Sequence, residues 1–408
     1  MALMTSIFVL LVTAHMLGYL SVRIGLPKLA GHMLAGIVLG PSAFSWLESS
    51  DALGAISDVA VLFIVLTAGL EMRLQHVLEV FRGRGIGALM IGFILPLCTG
   101  GLIALSFSLS VIPALVVALC VAVTALPLAL QILSGFRMLG TQIARVSISG
   151  SLLADIIVFM ALGMLIELST ANSTTTWTTS AVVAVAKLLG LVIAVIAAHF
   201  LCTNVLKPGA LKQGSSISET STRLAFVLLF VLGLGALSEL LGFNFAIGSF
   251  FAAMMISADV IGERAFERLE GTCEVLTASL FGPFFLAYQG MQFHLESLGR
   301  PAFVVTLLVG AVVSKLISGY IVGRLQKMTP HESLGVGIVM NARGVMELVV
   351  ASIALRAGLV DEEVFSALLM IGLVTTVLTP IMLNRWQMSG RPVAATTAPA
   401  AHAEKKVN

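Results

Sequence analysis

The chain has 408 residues, of which 58% are hydrophobic and only 11% charged. A water-soluble protein of that length needs a more polar surface, so the composition excludes a soluble enzyme or binding module and indicates a polytopic membrane protein. The net charge is +2, and the 23 Lys and Arg are scattered through short loops, without the basic patch that a nucleic-acid backbone requires.

The chain opens on MALMTSIFVLLVTAHMLGYL, an apolar run with no basic residue ahead of it. A cleaved signal peptide would carry one, so the run reads as a first spanning helix. Stretches of about 20 apolar residues then recur, giving thirteen expected spans near 4–22, 30–46, 54–71, 86–106, 111–134, 147–167, 180–203, 222–241, 244–258, 274–292, 301–323, 332–355 and 364–384. The fold class is therefore all-α. Residues 1–385 form one transmembrane domain, and 386–408 form a Pro-, Ala- and Thr-rich cytoplasmic tail, expected to be disordered because it cannot bury a core.

Loop charge gives the expected orientation. With the N-terminus outside, eighteen of the 23 basic residues fall on the cytoplasmic side, among them Arg23, Lys28, Arg137, Arg145, Arg324 and Lys327. Only Arg300 and Arg356 fall outside, which is the positive-inside pattern expected in a cell membrane. Thirteen spans divide as six, a linker and six, and a separation of seven reverses the direction of equivalent helices, as an inverted repeat requires. The fifth span then matches the twelfth, and both are interrupted, at Thr124–Pro127 and at Asn341-Ala342-Arg343-Gly344. Pro127 removes a backbone donor and frees a carbonyl. The repeat rests on this spacing, without a residue-level similarity between the halves.

Paired broken segments at matching positions mark a transport site. Asp155 stands alone among Leu153, Ala154, Ile156, Ile157 and Val158, about 12 Å into the sixth span. A carboxylate at that depth costs roughly 2.5–3.5 kcal/mol on lenient scales, which makes it a candidate carrier of a proton or a cation. The Thr124 hydroxyl and freed carbonyls are oxygen ligands of the kind hard cations favour. Lys315, about 21 Å into the eleventh span, either pairs with Asp155 or holds the negative helix ends that broken backbones expose. Arg343 and Glu347 are four apart and so share a face; with Asn341 and Gly344 they are candidates to support the opened helix. Lys187 either has a comparable buried duty or reaches toward the interface. Cys98, Cys120, Cys202 and Cys273 lack metal-ligand spacing, and no cofactor is expected. Gly282-Pro283 reads as a kink, and Gly31, Gly36 and Gly40 as close helix packing.

At these residues the sequence resembles the monovalent cation/proton antiporter family, in particular its potassium-efflux and sodium/proton exchanger branch. The resemblance covers about 1–385. It rests on GLPKLAGHMLAGIVLGPSAF, AVTALPLALQIL, LLAD, FGPFFLAYQGMQFHL, Lys315, MNARGVMELVV and VTTVLTPIML, in that order. It implies a homodimer with a dimerising panel and a mobile core, in which two opened helices cross beside an essential aspartate. By position Asp155 is that aspartate and Lys315 the core lysine. Many sodium-selective members carry Asp or Asn just before the aspartate, where this chain has Ala154. Na⁺ and K⁺ therefore both stand as candidates.

The expected function is secondary active antiport of a monovalent cation against protons across the lipid bilayer, with Asp155 binding one or the other in turn. The alternative is a proton-coupled exporter of a small organic solute on the same fold. A channel would need a filter-like repeated loop. An intramembrane aspartyl enzyme would need a second free carboxylate, and Glu347 has Arg343 beside it.

Overall fold

The computed structural model describes residues 3–71, 85–170, 217–256, 261–295 and 299–389, with parts of 186–200. The described residues form fifteen α-helices and no strand. The first half comprises α1 (Leu3–Arg23), α2 (Lys28–Leu39), α3 (Asp51–Glu71), α4 (Ile86–Ser106), α5 (Val111–Ala122), α6 (Leu126–Gly135) and α7 (Gln142–Thr170). The second comprises α8 (Ile217–Leu240), α9 (Phe245–Met255), α10 (Glu263–Leu276), α11 (Gly282–Met291), α12 (Pro301–Leu325), α13 (Pro330–Met340), α14 (Val345–Arg356) and α15 (Glu362–Ser389). Among the described residues, six helices are long and apolar enough to cross a membrane alone, and the bent pair α13–α14 makes a seventh. The chain is a multi-pass membrane protein.

Several expected boundaries move, each for a local reason. The second span stops being helical at Leu39, not 46, because Gly40 precedes Pro41 and takes an extended conformation. The sixth span is longer than expected: α7 has 29 residues, and Asp155 lies near its midpoint. The tenth span continues an amphipathic helix that starts at Glu263, and the kink expected at Gly282-Pro283 is a π-helical turn over Thr277–Phe281. That turn fits a proline, which cannot bond the carbonyl four residues back. The last helix passes Arg385 and reaches Ser389. Residues 390–408, the greater part of the expected tail, lie outside the described residues, as does much of the seventh span.

Both interruptions are present. Helix α5 ends at Ala122, and α6 begins with Pro127 in its first turn, where a missing N–H costs no helical bond. Helix α13 starts from a capping box, Thr329 with Glu332, and ends at Met340; α14 resumes at Val345 after a bend of 41°.

The helices gather into two bundles. One contains α1, α2, α3, α8, α9, α10 and α11; the other contains α4–α7 and α12–α15. Each bundle draws on both halves of the chain, and the same pairings recur seven spans apart. Helix α1 packs on α2 as α8 packs on α9, α2 on α11 as α9 on α3, and α4 on α5 as α12 on α13. This is the pattern expected of the six-plus-six repeat. Small residues at the crossings permit it: a Cβ on Gly36 would run into the Ala287 carbonyl, and one on Gly319 into the backbone of Gly337.

Candidate functional site

Helix α5 ends inside the protein with three carbonyls that its own backbone cannot satisfy, since the chain turns away at Val123. Two cations take them up. Arg343 donates through Nη1 to Cys120 O (2.8 Å) and through Nη2 to Val121 O (2.6 Å). Lys315 donates to Ala122 O and to the Thr124 hydroxyl, the latter at 2.7 Å. Positive charge at a helix C-terminus is favourable, the more so where solvent does not screen it.

The two breaks are also bonded to each other. The Ala125 N–H donates to Ala342 O at 3.0 Å, and the Thr124 hydroxyl donates to Met340 O at 3.1 Å. Arg343 O accepts from the Thr376 hydroxyl of α15 at 2.7 Å, and Asn341 Nδ2 lies 3.4 Å from Thr379 Oγ1. Glu347 pairs with Arg343 at 3.2 Å, and neither side chain has any exposure. Pro127 stands in the first turn of α6.

Asp155 is held differently. Helix α7 packs against all four half-helices, α5, α6, α13 and α14, and so presents its midpoint to both breaks. Asp155 is 1% exposed, and neither carboxylate oxygen has a hydrogen-bond partner. Of the two duties weighed for Lys315, this conformation displays the helix-end bonds and no Asp155 ion pair among the described residues. Thr124 spends its proton on Met340 and one lone pair on Lys315, leaving one acceptor direction for a cation. Asn341 Oδ1 and Glu347 Oε2 are further buried oxygens without a partner. The described residues contain no group of three or more His, Cys, Asp and Glu that would hold a resident metal.

The sequence reading missed several partners. Thr376 and Thr379, in the closing VTTVLTPIML, support the second break, and their spacing on one helix face was the available signal. Lys187 bonds Glu167 at 2.6 Å, a pair formed between two spans. Arg356 pairs with Asp58, which nothing in the spacing announces.

A bare buried carboxylate beside two broken helices is the arrangement a cation exchanger needs. The family model described as "Sodium/hydrogen exchanger, transmembrane" matches residues 9–387. The chain belongs to the sodium/hydrogen exchanger family. This exchanger is 24% identical over 380 residues to a Na(+)/H(+) antiporter of Enterococcus hirae, covering 93% of the chain and 96% of the relative. It is 26% identical over 385 residues to the Na(+)/H(+)-K(+) antiporter GerN of Bacillus cereus, covering 93% and 94%. In fold it is similar to the sodium proton antiporter MjNhaP1 of Methanocaldococcus jannaschii, with a TM-score of 0.71 and 15% identity, over 94% of this chain and 96% of that one. The solute-exporter alternative is not favoured, since these relatives are named for cation exchange.

Proposed function

We propose that this exchanger moves one monovalent cation, Na⁺ or K⁺, against a proton, and that Asp155 binds each in turn. One observation carries the reading: a carboxylate at the centre of α7 is buried with both oxygens free of protein donors. An ionised carboxylate in that state costs several kcal/mol, so a proton or a cation at the same oxygens is strongly favoured. Exclusive occupancy of one group by either species couples the two gradients. Backbone and side-chain oxygens at the breaks, Asn341 Oδ1 among them, are the further ligands available to a cation.

The distribution of loop Lys and Arg supports an N-terminus outside and a C-terminus in the cytoplasm. The family resemblance supports a homodimer in the lipid bilayer. Cysteines introduced at 136–141 should be labelled only from the cytoplasm; labelling from outside would reverse the topology.

The deciding experiment is proteoliposome transport under an imposed pH gradient with Na⁺, K⁺, Li⁺ or choline. The parent should respond to Na⁺ or K⁺ and not to choline. Asp155→Asn keeps size and polarity but cannot titrate, and it should abolish cation-dependent proton movement while remaining folded. Full activity in Asp155→Asn would end this reading.

A further inference from the structure

We propose that Asp58 and Arg356 form an outer latch between the two bundles, one that must part whenever Asp155 is exposed to the outside. The proposal rests on the proposed antiport at Asp155, which requires that group to be reached from each side of the membrane in turn. Helix α14 leaves the second break and runs 12 residues to Arg356, about 18 Å toward the outer face. Val349, Ser352 and Arg356 fall at i, i+3 and i+7, so they share one stripe.

That stripe faces the other bundle. Gln289 of α11 donates to Ser352 Oγ at 3.0 Å, with both residues buried. One turn further out, Arg356 pairs with Asp58 of α3. Helices α3 and α11 are neighbours in a single bundle. Two polar rungs therefore tie the outer half of a broken helix to the surface past which it has to move. Asp58 interrupts an apolar span, Ile56 to Leu66, and its ion partner lies across the bundle boundary rather than within its own bundle.

The strength of the pair suits a latch. The Arg356 and Asp58 side chains are 33% and 62% exposed. A pair this wet shifts an equilibrium by a few-fold, enough to bias the resting state and too little to lock it. The deeply buried Arg343–Glu347 pair, by contrast, belongs to one bundle and has no such boundary to cross. Asp58 and Arg356 are positioning residues, since they act on which side reaches Asp155 and not on the ion itself.

The test uses the full chain with its four native cysteines replaced and Val349→Cys introduced. Val349 is fully buried, so a membrane-impermeant thiol reagent added outside reports the opening of this face. Asp58→Asn and Arg356→Gln should each raise the labelling rate about two- to fivefold. The swapped pair, Asp58→Arg with Arg356→Asp, should return the rate toward that of the parent, which a general loosening of the fold would not do. Unchanged labelling in both neutral variants, or a swapped pair as fast as the single variants, would overturn the latch. If one neutral variant does not fold, the other decides. Repeating the series in Asp155→Asn separates the two proposals, because labelling needs no transport: residual exchange there counts against Asp155 as carrier and leaves the latch standing or falling on its own rates.

Discussion

Lys315 offers the sharpest test of how the site is built. Its ammonium makes two hydrogen bonds, to Ala122 O and Thr124 Oγ1, worth about 1.5–3 kcal/mol each for a charged donor. Its position at the end of α5 adds up to about 2 kcal/mol. Against this, Lys315 is 0% exposed, and desolvating an ammonium costs several kcal/mol. These contributions nearly offset, so the deciding one is what a substitution leaves behind. Lys315→Met strands Ala122 O in an apolar surround at about 1–3 kcal/mol, while Thr124 keeps its bond to Met340. A stability loss of about that size is expected for Lys315→Met. A smaller loss is expected for Lys315→Gln, whose amide can still donate. The assay is reversible unfolding of the purified protein in mixed detergent–SDS micelles, run beside exchange in proteoliposomes at clamped membrane potential. If Lys315 only holds the helix end, exchange by the parent is insensitive to potential and both variants keep the same stoichiometry. A Lys315→Met protein as stable as the parent, or a parent accelerated by potential, would refute the reasoning and make Lys315 part of the transported charge.

Two further outcomes follow from the packing. Arg343→Leu leaves the Glu347 carboxylate buried without its cation and should cost about 3–5 kcal/mol. The double variant Arg343→Leu/Glu347→Leu should recover part of that loss in the same unfolding assay, and a double variant less stable than the single one would argue that the carboxylate is held by something else. At the crossing of α2 and α11, Gly36→Ala sets a methyl group against the Ala287 carbonyl. Because backbone has to move there, a loss of about 1–3 kcal/mol or more is expected, and wild-type thermal stability in detergent would contradict the close approach.

What the sequence made legible was whatever depends on a costly residue in an apolar run. Asp155, Lys315, Arg343 and Glu347 are conspicuous because a membrane interior penalises each of them. The breaks at Thr124–Pro127 and Asn341–Gly344 show for a similar reason, since proline and a polar cluster interrupt an otherwise continuous helix. Pairing was far less legible. Lys187 with Glu167 and Arg356 with Asp58 join different spans, and no helical period relates such residues. The choice of Lys315 between Asp155 and the end of α5 depends on how α5, α7 and α12 pack, which no helical period relates. The repeat was readable as spacing, and at its crossings the halves have little in common beyond small residues. At the α2–α11 crossing both helices bring a glycine, Gly36 against the Ala287 carbonyl and Gly290 against the Met33 carbonyl, whereas at the matching α9–α3 crossing Gly69 of α3 meets Ala253 of α9. Alanine thus stands on α9 where α2 has glycine, and both pairs of helices still approach closely.

The arrangement of charge also bears on why the aspartate stays free. Among the described residues, four charged side chains are buried around the breaks, Asp155, Glu347, Lys315 and Arg343. Arg343 and Glu347 neutralise each other at 3.2 Å. Lys315 is committed to carbonyl and hydroxyl oxygens of the α5 end. Had it folded onto Asp155 instead, an entering cation would have to displace an ammonium already in place. With Lys315 tethered, the negative α5 end accounts for its charge locally, and the Asp155 oxygens keep their capacity for one more positive charge. A proton and a monovalent cation carry the same charge, so under the proposed cycle the loaded core has one net charge whichever it bears. Under that cycle, Lys315 and Arg343 are bonded to helix carbonyls and leave the one bare carboxylate to the cargo, so the groups that tie the breaks do not compete for it.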